Sequence, residues 1–347
     1  MPAPMQAALF RRFGGPEVME VGEVPAPEPG PGEVLVRVRA AALNHMDLWL
    51  RRGLPALRVP LPHVPGGDLC GVVAGLGPGA PRLKEGDRVV VNPGLSCMRC
   101  VRCLSGEDNL CPEYRMVGEQ AWGGQAQYLA VPGANVVAAP EGVDDAELAS
   151  LPIVFLTAWQ MLVDKARVRP GETVLVIAGG SGVGVAAIQI AKMLGAHVLA
   201  TASTDAKLAK ARALGAEVGI NQVGTDLGAE IKRLTGGKGV DVVIEHTGAE
   251  AFKTAVRACA KGGRIVTCGA TAGHEPPLNL RYVFWHQLSI LGSTLAPKGR
   301  LHRILQLVAE RKLRGVVDRV LPLAEVAQGH RALEAREVIG KLVLSLP

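Results

Sequence analysis

The segment Thr173–Ala191, TVLVIAGGSGVGVAAIQIA, constrains the fold of this chain more than any other. It is nineteen residues long and uncharged, a length that by itself would admit a membrane span. However, glycines stand at 179, 180, 182 and 184, a β-branched run precedes them and a helical pattern follows. That order reads as a strand, a tight turn and a buried helix.

The surroundings agree with this reading. From about Leu151 the runs TVLVIAGG, AHVLATAS, EVGINQ, VDVVIEHTG and GRIVTCGA alternate with Ala-rich stretches, predicting parallel strands with helices such as Val185–Leu194 and Ala251–Ala260 between them. A last strand, SILGS, falls at the sheet edge. Before residue 150, GEVLVRVRAA, GVVAGLG, GDRVVVNPG and AQYLAVPGANVVAAP are short β-rich runs punctuated by Gly and Pro, the pattern of a mainly antiparallel barrel. The fold class is therefore α/β, a β-barrel domain followed by a doubly wound parallel sheet. We place the barrel at 1–150 with a cysteine lobe at about 94–114, the sheet domain at 151–297 and a C-terminal segment at 298–347. Periodicity does not assign that last segment to either domain.

A composition of 48% hydrophobic and 20% charged residues excludes a disordered chain. The net charge of +6 is scattered rather than gathered in a basic arm, so an anionic small ligand accounts for it and no nucleic acid is expected. The start, MPAPMQAALFRRFGG, lacks the apolar core of a secretory signal. No membrane association is expected, and the cytoplasm is the expected compartment, where clustered cysteines bind metal more often than they pair.

In AGGSGVG, Ala178 to Gly184, Gly179 fits the first place of the G-x-G-x-x-G pattern, Ser181 replaces the second and Gly184 fills the last. Gly182, Val183 and Gly184 open a helix whose free N–H groups and dipole suit a pyrophosphate. About 20 residues on, an acidic side chain normally binds the adenosine ribose of NAD. Here Ala202 stands there, with Ser203, Thr204 and Lys207 beyond it. Hydroxyls and an ammonium accept a 2′-phosphate that a carboxylate would repel, so NADP(H) is expected rather than NAD(H). Asp205 is the nearby exception, and capping the next helix would occupy it.

Four of the seven cysteines, Cys97, Cys100, Cys103 and Cys111, fall within CMRCVRCLSGEDNLC. A closed set of four thiolates suits a structural zinc with no open position for substrate. The iron–sulfur run C-x₂-C-x₂-C-x₃-C is the alternative, but the last gap here is the seven residues LSGEDNL. Cys70, Cys259 and Cys268 are isolated among apolar residues and read as core thiols.

Taken in order, AALNHMD, PGGDLCGVV, LKEGDRVVV, the cysteine lobe, FLTAW, AGGSGVG and the terminal GKLVL resemble the medium-chain alcohol dehydrogenase and quinone reductase superfamily over almost the whole chain. The resemblance implies a chaperonin-10-like barrel, a Rossmann domain, a C-terminal segment returning to the barrel, and an active site in the cleft between the domains. It implies one structural zinc on the four cysteines, Lys341 among the cofactor residues, and a homodimer or homotetramer assembled through QLSILGS, Gln287 to Ser293. The ligands of the catalytic zinc in zinc-dependent members map onto Asn44, Gly67 (with Asp68 beside it) and Ile153, and the proton-relay hydroxyl maps onto Met46. None of these can serve. LNHMD instead looks like the zinc-free quinone reductases. His45, His63, Asp47 and Asp68 could still build an unusual metal site, although each also has a structural explanation.

Without a Lewis acid, hydride transfer suits a quinone or α,β-unsaturated carbonyl, whose developing negative charge hydrogen-bond donors can stabilise. Asn44, His45 and Thr157 are the expected donors. An alcohol or aldehyde dehydrogenase with an unusual site is the alternative, and a non-catalytic nucleotide-binding protein is the third. The pocket aromatics Trp49, Trp122, Phe155 and Trp285 do not choose among substrates.

Overall fold

The computed structural model describes residues 4–54, 59–80 and 83–347. It divides into two compact units, one made of Met1–Ile153 with Pro297–Pro347, the other of Val154–Ala296.

The first unit is built on a seven-stranded sheet. Its long central strand, Glu33–Ala42, pairs antiparallel with Asp68–Leu76, with Tyr128–Pro132 and with the chain's last strand, Lys341–Ser345. Arg88–Val91 and Val136–Ala138 extend the sheet on one side, and Val317–Pro322 lies parallel to the last strand on the other. Alternation along Glu33–Ala42 sends Val34, Val36 and Val38 into a core with Leu69, Val73, Val89 and Leu129. The register Val343↔Ala42 brings Lys341 to the end of the sheet from which helix His45–Arg52 departs.

That helix is fastened at its far end to helix Val326–Glu334. Arg51 is fully buried. It donates to Gly14 O (3.1 Å), forms an ion pair with Glu334, and donates to His330 Nδ1 (3.0 Å). A guanidinium has no acceptor, so His330 must accept at Nδ1 and stay neutral. Burial, then the Arg51 charge, depresses the His330 pKa to about 3.

In the second unit six parallel strands stand in the order Val218–Asn221, His197–Ala202, Thr173–Val176, Val240–Glu245, Cys259–Thr267, Ser289–Gly292. The reversal at Thr173–Val176 is the switch point of a doubly wound sheet. The glycine segment is a strand, a turn and the helix Gly182–Met193. No helix among the described residues is long and apolar enough to cross a membrane. Two local expectations need correction. The helix expected at Ala251–Ala260 is Ala249–Ala258, because Cys259 already begins the next strand, under the close approach of Gly239 to Ala258 O. The cap of the helix after the second sheet strand is Thr204, whose hydroxyl accepts from Lys207 N, and not Asp205, which is the first helical residue.

His330 generates a prediction about acid stability. Its folded pKa lies below the value of 6.5 expected unfolded, so its contribution is complete above pH 6.5 and is lost as the pH falls from there toward 3. The slope from one such proton is at most about 1.4 kcal/mol per pH unit. Thermal midpoints measured from pH 7 to pH 4 should fall less steeply for His330→Gln, which keeps an acceptor for Arg51 without titrating. Parallel curves for the two proteins would contradict the assignment.

Candidate functional site

Asn44 stands two residues beyond the central strand and caps helix His45–Arg52, so the LNHMD segment sits where a strand stops and a helix begins. Its amide is fully engaged within the unit. Nδ2 donates to Asp68 Oδ2 (3.0 Å) and Ala42 O (3.4 Å), while Oδ1 accepts from Lys341 Nζ. Lys341 is 3% exposed and Asp68 0%, and Nζ lies 2.8 Å from Asp68 Oδ2. The other Asp68 oxygen accepts from Ile153 N at 2.7 Å. Asn44, Gly67 and Ile153, which the resemblance aligns with zinc ligands, are gathered around Asp68, whose partner is the Lys341 ammonium. A Cβ on Gly67 would come within 2.9 Å of Ile153 Cδ1 and 3.0 Å of Val117 O, leaving no room for an imidazole without rearrangement.

Asp47 lies beside this group, accepting from Asn44 N (2.8 Å), Gly66 N (3.2 Å) and Gln125 Nε2 (3.4 Å). Burial raises its pKa to about 7 against these donors. His45 is half-buried, and burial together with the charges of Lys341, Arg336 and Arg52 lowers its pKa, so at neutral pH its ring has one N–H to donate. His63 is buried against Phe10, with Nε2 3.1 Å from Gly118 O. Among the described residues, the ligand atoms of His45, His63, Asp47 and Asp68 do not gather into a metal-holding group; the four cysteines do. The expectation that Asn44 is a free donor also meets a constraint, since both its amide hydrogens have protein acceptors. Lys341, expected at the cofactor, has Asn44 and Asp68 as partners in this unit.

The cysteine lobe hangs from a two-stranded pair, Gly94–Leu95 with Arg115–Met116. The Sγ atoms of Cys97, Cys100, Cys103 and Cys111 all lie within 4.8 Å of one another, with Cys97–Cys103 at 3.9 Å, Cys100–Cys103 at 3.6 Å and Cys100–Cys111 at 3.9 Å. Four sulfurs bonded tetrahedrally to zinc at about 2.3 Å stand about 3.8 Å apart, so the set fits that ion. Backbone N–H groups of Arg99 and Cys100 lower the Cys97 thiol to about 7, while burial raises that of Cys103 to about 11, so without a cation the cluster does not hold four thiolates. Lys298, which the sequence did not single out, anchors the lobe by donating to Gly94 O (3.0 Å), Ser96 Oγ (3.2 Å) and Asn135 Oδ1 (3.2 Å). Of the remaining thiols Cys70 and Cys259 are buried, as expected, whereas Cys268 is only partly buried; burial pushes Cys259 up to about 12.

In the second unit the turn is a cradle. A Cβ on Gly184 would meet Ala178 O at 2.3 Å, so only glycine lets the helix pack this closely on the turn. Ser181 caps the helix, its Oγ accepting from Gly184 N at 2.9 Å, and Gly182 and Val183 follow in the first turn. The stem of Lys207 runs over Gly180, with Cγ 2.8 Å from where a Cβ would stand, so Lys207 sits against the turn. Ala202 is buried, while Ser203 and Thr204 are exposed beside the helix that carries Lys207. Gly179, Ser181, Gly182, Gly184 and Lys207 are thereby brought together, and a dinucleotide phosphate fits this donor set. Thr157 is buried in helix Pro152–Trp159.

Residues 30–141 match the family model described as alcohol dehydrogenase GroES-like domain, and residues 182–310 match the one described as zinc-binding dehydrogenase. The chain is 33% identical to an alcohol dehydrogenase of Geobacillus stearothermophilus over 99% of its own length and 100% of that protein. It is 31% identical to the quinone oxidoreductase of Sus scrofa over 99% of this chain and 98% of the other. A crystal structure of an NAD-dependent alcohol dehydrogenase is 55% identical, with a TM-score of 0.96 over 99% of this chain and 100% of that one.

The lobe yields a direct test. Elemental analysis after exhaustive dialysis with a mild chelator should find one zinc per chain, and Cys97→Ser or Cys103→Ser should lower the thermal midpoint while removing it. Two tightly held zinc ions per chain would contradict the reading of both sites.

Proposed function

Since the chain belongs to the medium-chain dehydrogenase/reductase family, we propose that it reduces a quinone or an α,β-unsaturated carbonyl with NADP(H), without a catalytic zinc and with a structural zinc on the four cysteines. The observation that supports the proposal is the Lys341 ammonium held by Asn44, which the resemblance aligns with a zinc ligand, and by Asp68, next to a second such position.

The nicotinamide supplies the hydride when bound. The protein's part is electrostatic: a conjugated acceptor develops its charge on the carbonyl oxygen, remote from the carbon that receives hydride, and fixed donors lower the energy of that oxyanion. Two of the three Lys341 hydrogens are directed to Asn44 and Asp68, leaving one, and neutral His45 has its own N–H. Asn44 acts in this scheme by orienting Lys341. Ser203, Thr204 and Lys207 support NADP(H) over NAD(H), because none repels a 2′-phosphate. The seven free cysteines suit the cytoplasm.

A second reading, an alcohol dehydrogenase using NAD, is favoured by the 55% identity to a protein of that description. One assay decides between them. Turnover is measured with quinones, enones, aldehydes and simple alcohols, each with both cofactors. The proposal predicts the highest kcat/KM for an enone or quinone with NADPH, while efficient alcohol oxidation with NAD⁺ would establish the second reading. In the same assay Lys341→Met should lower enone reduction about a hundredfold or more. Lys341→Met alone leaves the Asp68 charge buried and costs about 3–5 kcal/mol of stability. The variant Lys341→Met with Asp68→Asn should regain stability and stay slow, and wild-type turnover by it would remove Lys341 from the mechanism.

We also propose a homodimer or homotetramer. The edge strand Ser289–Gly292 is largely exposed, and Leu280, Phe284 and Trp285 (71% exposed) stand on the helix just before it. Pairing with a second copy would satisfy the edge and cover these side chains. Sedimentation velocity at micromolar concentration should show no monomer; monomer alone would contradict the assembly.

A further inference from the structure

At the glycine turn a histidine from outside the motif meets the serine inside it. His246 follows directly on strand Val240–Glu245, which pairs in parallel with Thr173–Val176, so the turn and the histidine leave neighbouring strands at the same end of the sheet. His246 is 8% exposed, and its Nε2 lies 2.8 Å from Ser181 Oγ. The backbone around it is held by Glu245, a buried carboxylate that accepts from Thr247 N (2.6 Å) and Gly248 N (2.8 Å).

The hydrogens on Ser181 can be counted. A hydroxyl has one hydrogen and two acceptor positions, and Gly184 N fills one acceptor position. If His246 Nε2 accepts, the serine hydrogen goes to the imidazole, and Ser181 offers a ligand only a lone pair. A pyrophosphate is all acceptor, so it would meet repulsion there. If Nε2 carries the hydrogen, Ser181 accepts from both neighbours, and its own hydrogen is left for a phosphate oxygen. Phosphate binding therefore selects the second arrangement.

We propose that His246 is a positioning residue for the dinucleotide: by donating from Nε2 to Ser181 Oγ it commits the serine hydroxyl to a pyrophosphate oxygen, compensating for the glycine missing at the second place of the pattern. The inference rests on the reading that this turn receives the pyrophosphate of a nicotinamide dinucleotide.

The test is a set of dissociation constants for NADPH and NADH, measured by quenching of protein fluorescence and by calorimetry on the full chain. Wild type, His246→Ala, His246→Gln, Ser181→Gly and Ser181→Gly with His246→Ala are compared. Losing one hydrogen bond to a charged group should weaken binding about tenfold in His246→Ala. The loss should fall on KM for the cofactor more than on kcat. Gln retains an N–H of similar reach and should restore most of the affinity. With Ser181→Gly there is no hydroxyl to orient, so adding His246→Ala should change the constant less than about twofold, against the factor of ten expected beside serine. Unchanged binding by His246→Ala, or an equal loss in both backgrounds, would overturn the proposal while leaving the dinucleotide reading intact. If His246→Ala does not fold, failure of His246→Gln to bind as wild type does has the same force. Absence of dinucleotide binding by the wild-type chain would overturn the reading and the proposal together.

Discussion

The ion pair between Lys341 and Asp68 is the contact on which the first unit turns. Removing two charges from water costs several kcal/mol per ion, and mutual attraction offsets this only where the remaining donors and acceptors are also satisfied. Here they are: Asn44 Oδ1 takes a second Lys341 hydrogen, Asn44 Nδ2 donates to Asp68, and Ile153 N donates to the other Asp68 oxygen. The partners come from four separate parts of the chain, so the pair fixes the start of helix His45–Arg52, the start of strand Asp68–Leu76 and the final strand against one another. A fixed cation in a site with little water is also what a developing oxyanion requires. On the proposed function, the interaction that organises this part of the fold would also supply the charge that meets the oxyanion.

The segment Pro297–Pro347 takes part in three such arrangements within its unit, this one included. Lys298 holds the cysteine lobe through Gly94, Ser96 and Asn135, His330 and Glu334 hold Arg51, and Lys341 holds Asn44 and Asp68. In each case a cation is nearly buried and its hydrogens meet oxygens or an imidazole nitrogen, so the C-terminal segment sets the lobe and both ends of the helix carrying His45 and Asp47. In the second unit the turn is ordered by close backbone approach and by Ser181 instead.

Much of the sheet in the second unit was legible because its inner strands, such as Thr173–Val176 and Val240–Glu245, are buried and read as apolar runs, while the edge strands Val218–Asn221 and Ser289–Gly292 were placed by the spacing of the alternation. The cysteine set was legible because its ligands are local in sequence. Local motifs also located Ser181 and the glycines. Contacts over long separations were not legible: Lys341 and Asp68 are 273 residues apart, and a single charge within GKLVLSL shows that a partner must exist without naming it. His246 follows a strand with no motif around it, and Thr204 rather than Asp205 takes the cap because backbone register, not residue type, decides between adjacent capping side chains. The amide of Asn44 is likewise a good donor by type, yet its hydrogens already have acceptors that only the folded chain supplies.

The central claim, that a lysine ammonium rather than a catalytic metal is the cation bound by Asn44 and Asp68, is tested most directly by anomalous diffraction at the zinc edge from crystals grown with zinc and cofactor. The account predicts one anomalous peak per chain, among the sulfurs of Cys97, Cys100, Cys103 and Cys111, with Lys341 still bonded to Asn44 and Asp68. A second peak at about 2.0–2.3 Å from Asp68 or His45, with Lys341 displaced from it, would contradict the account.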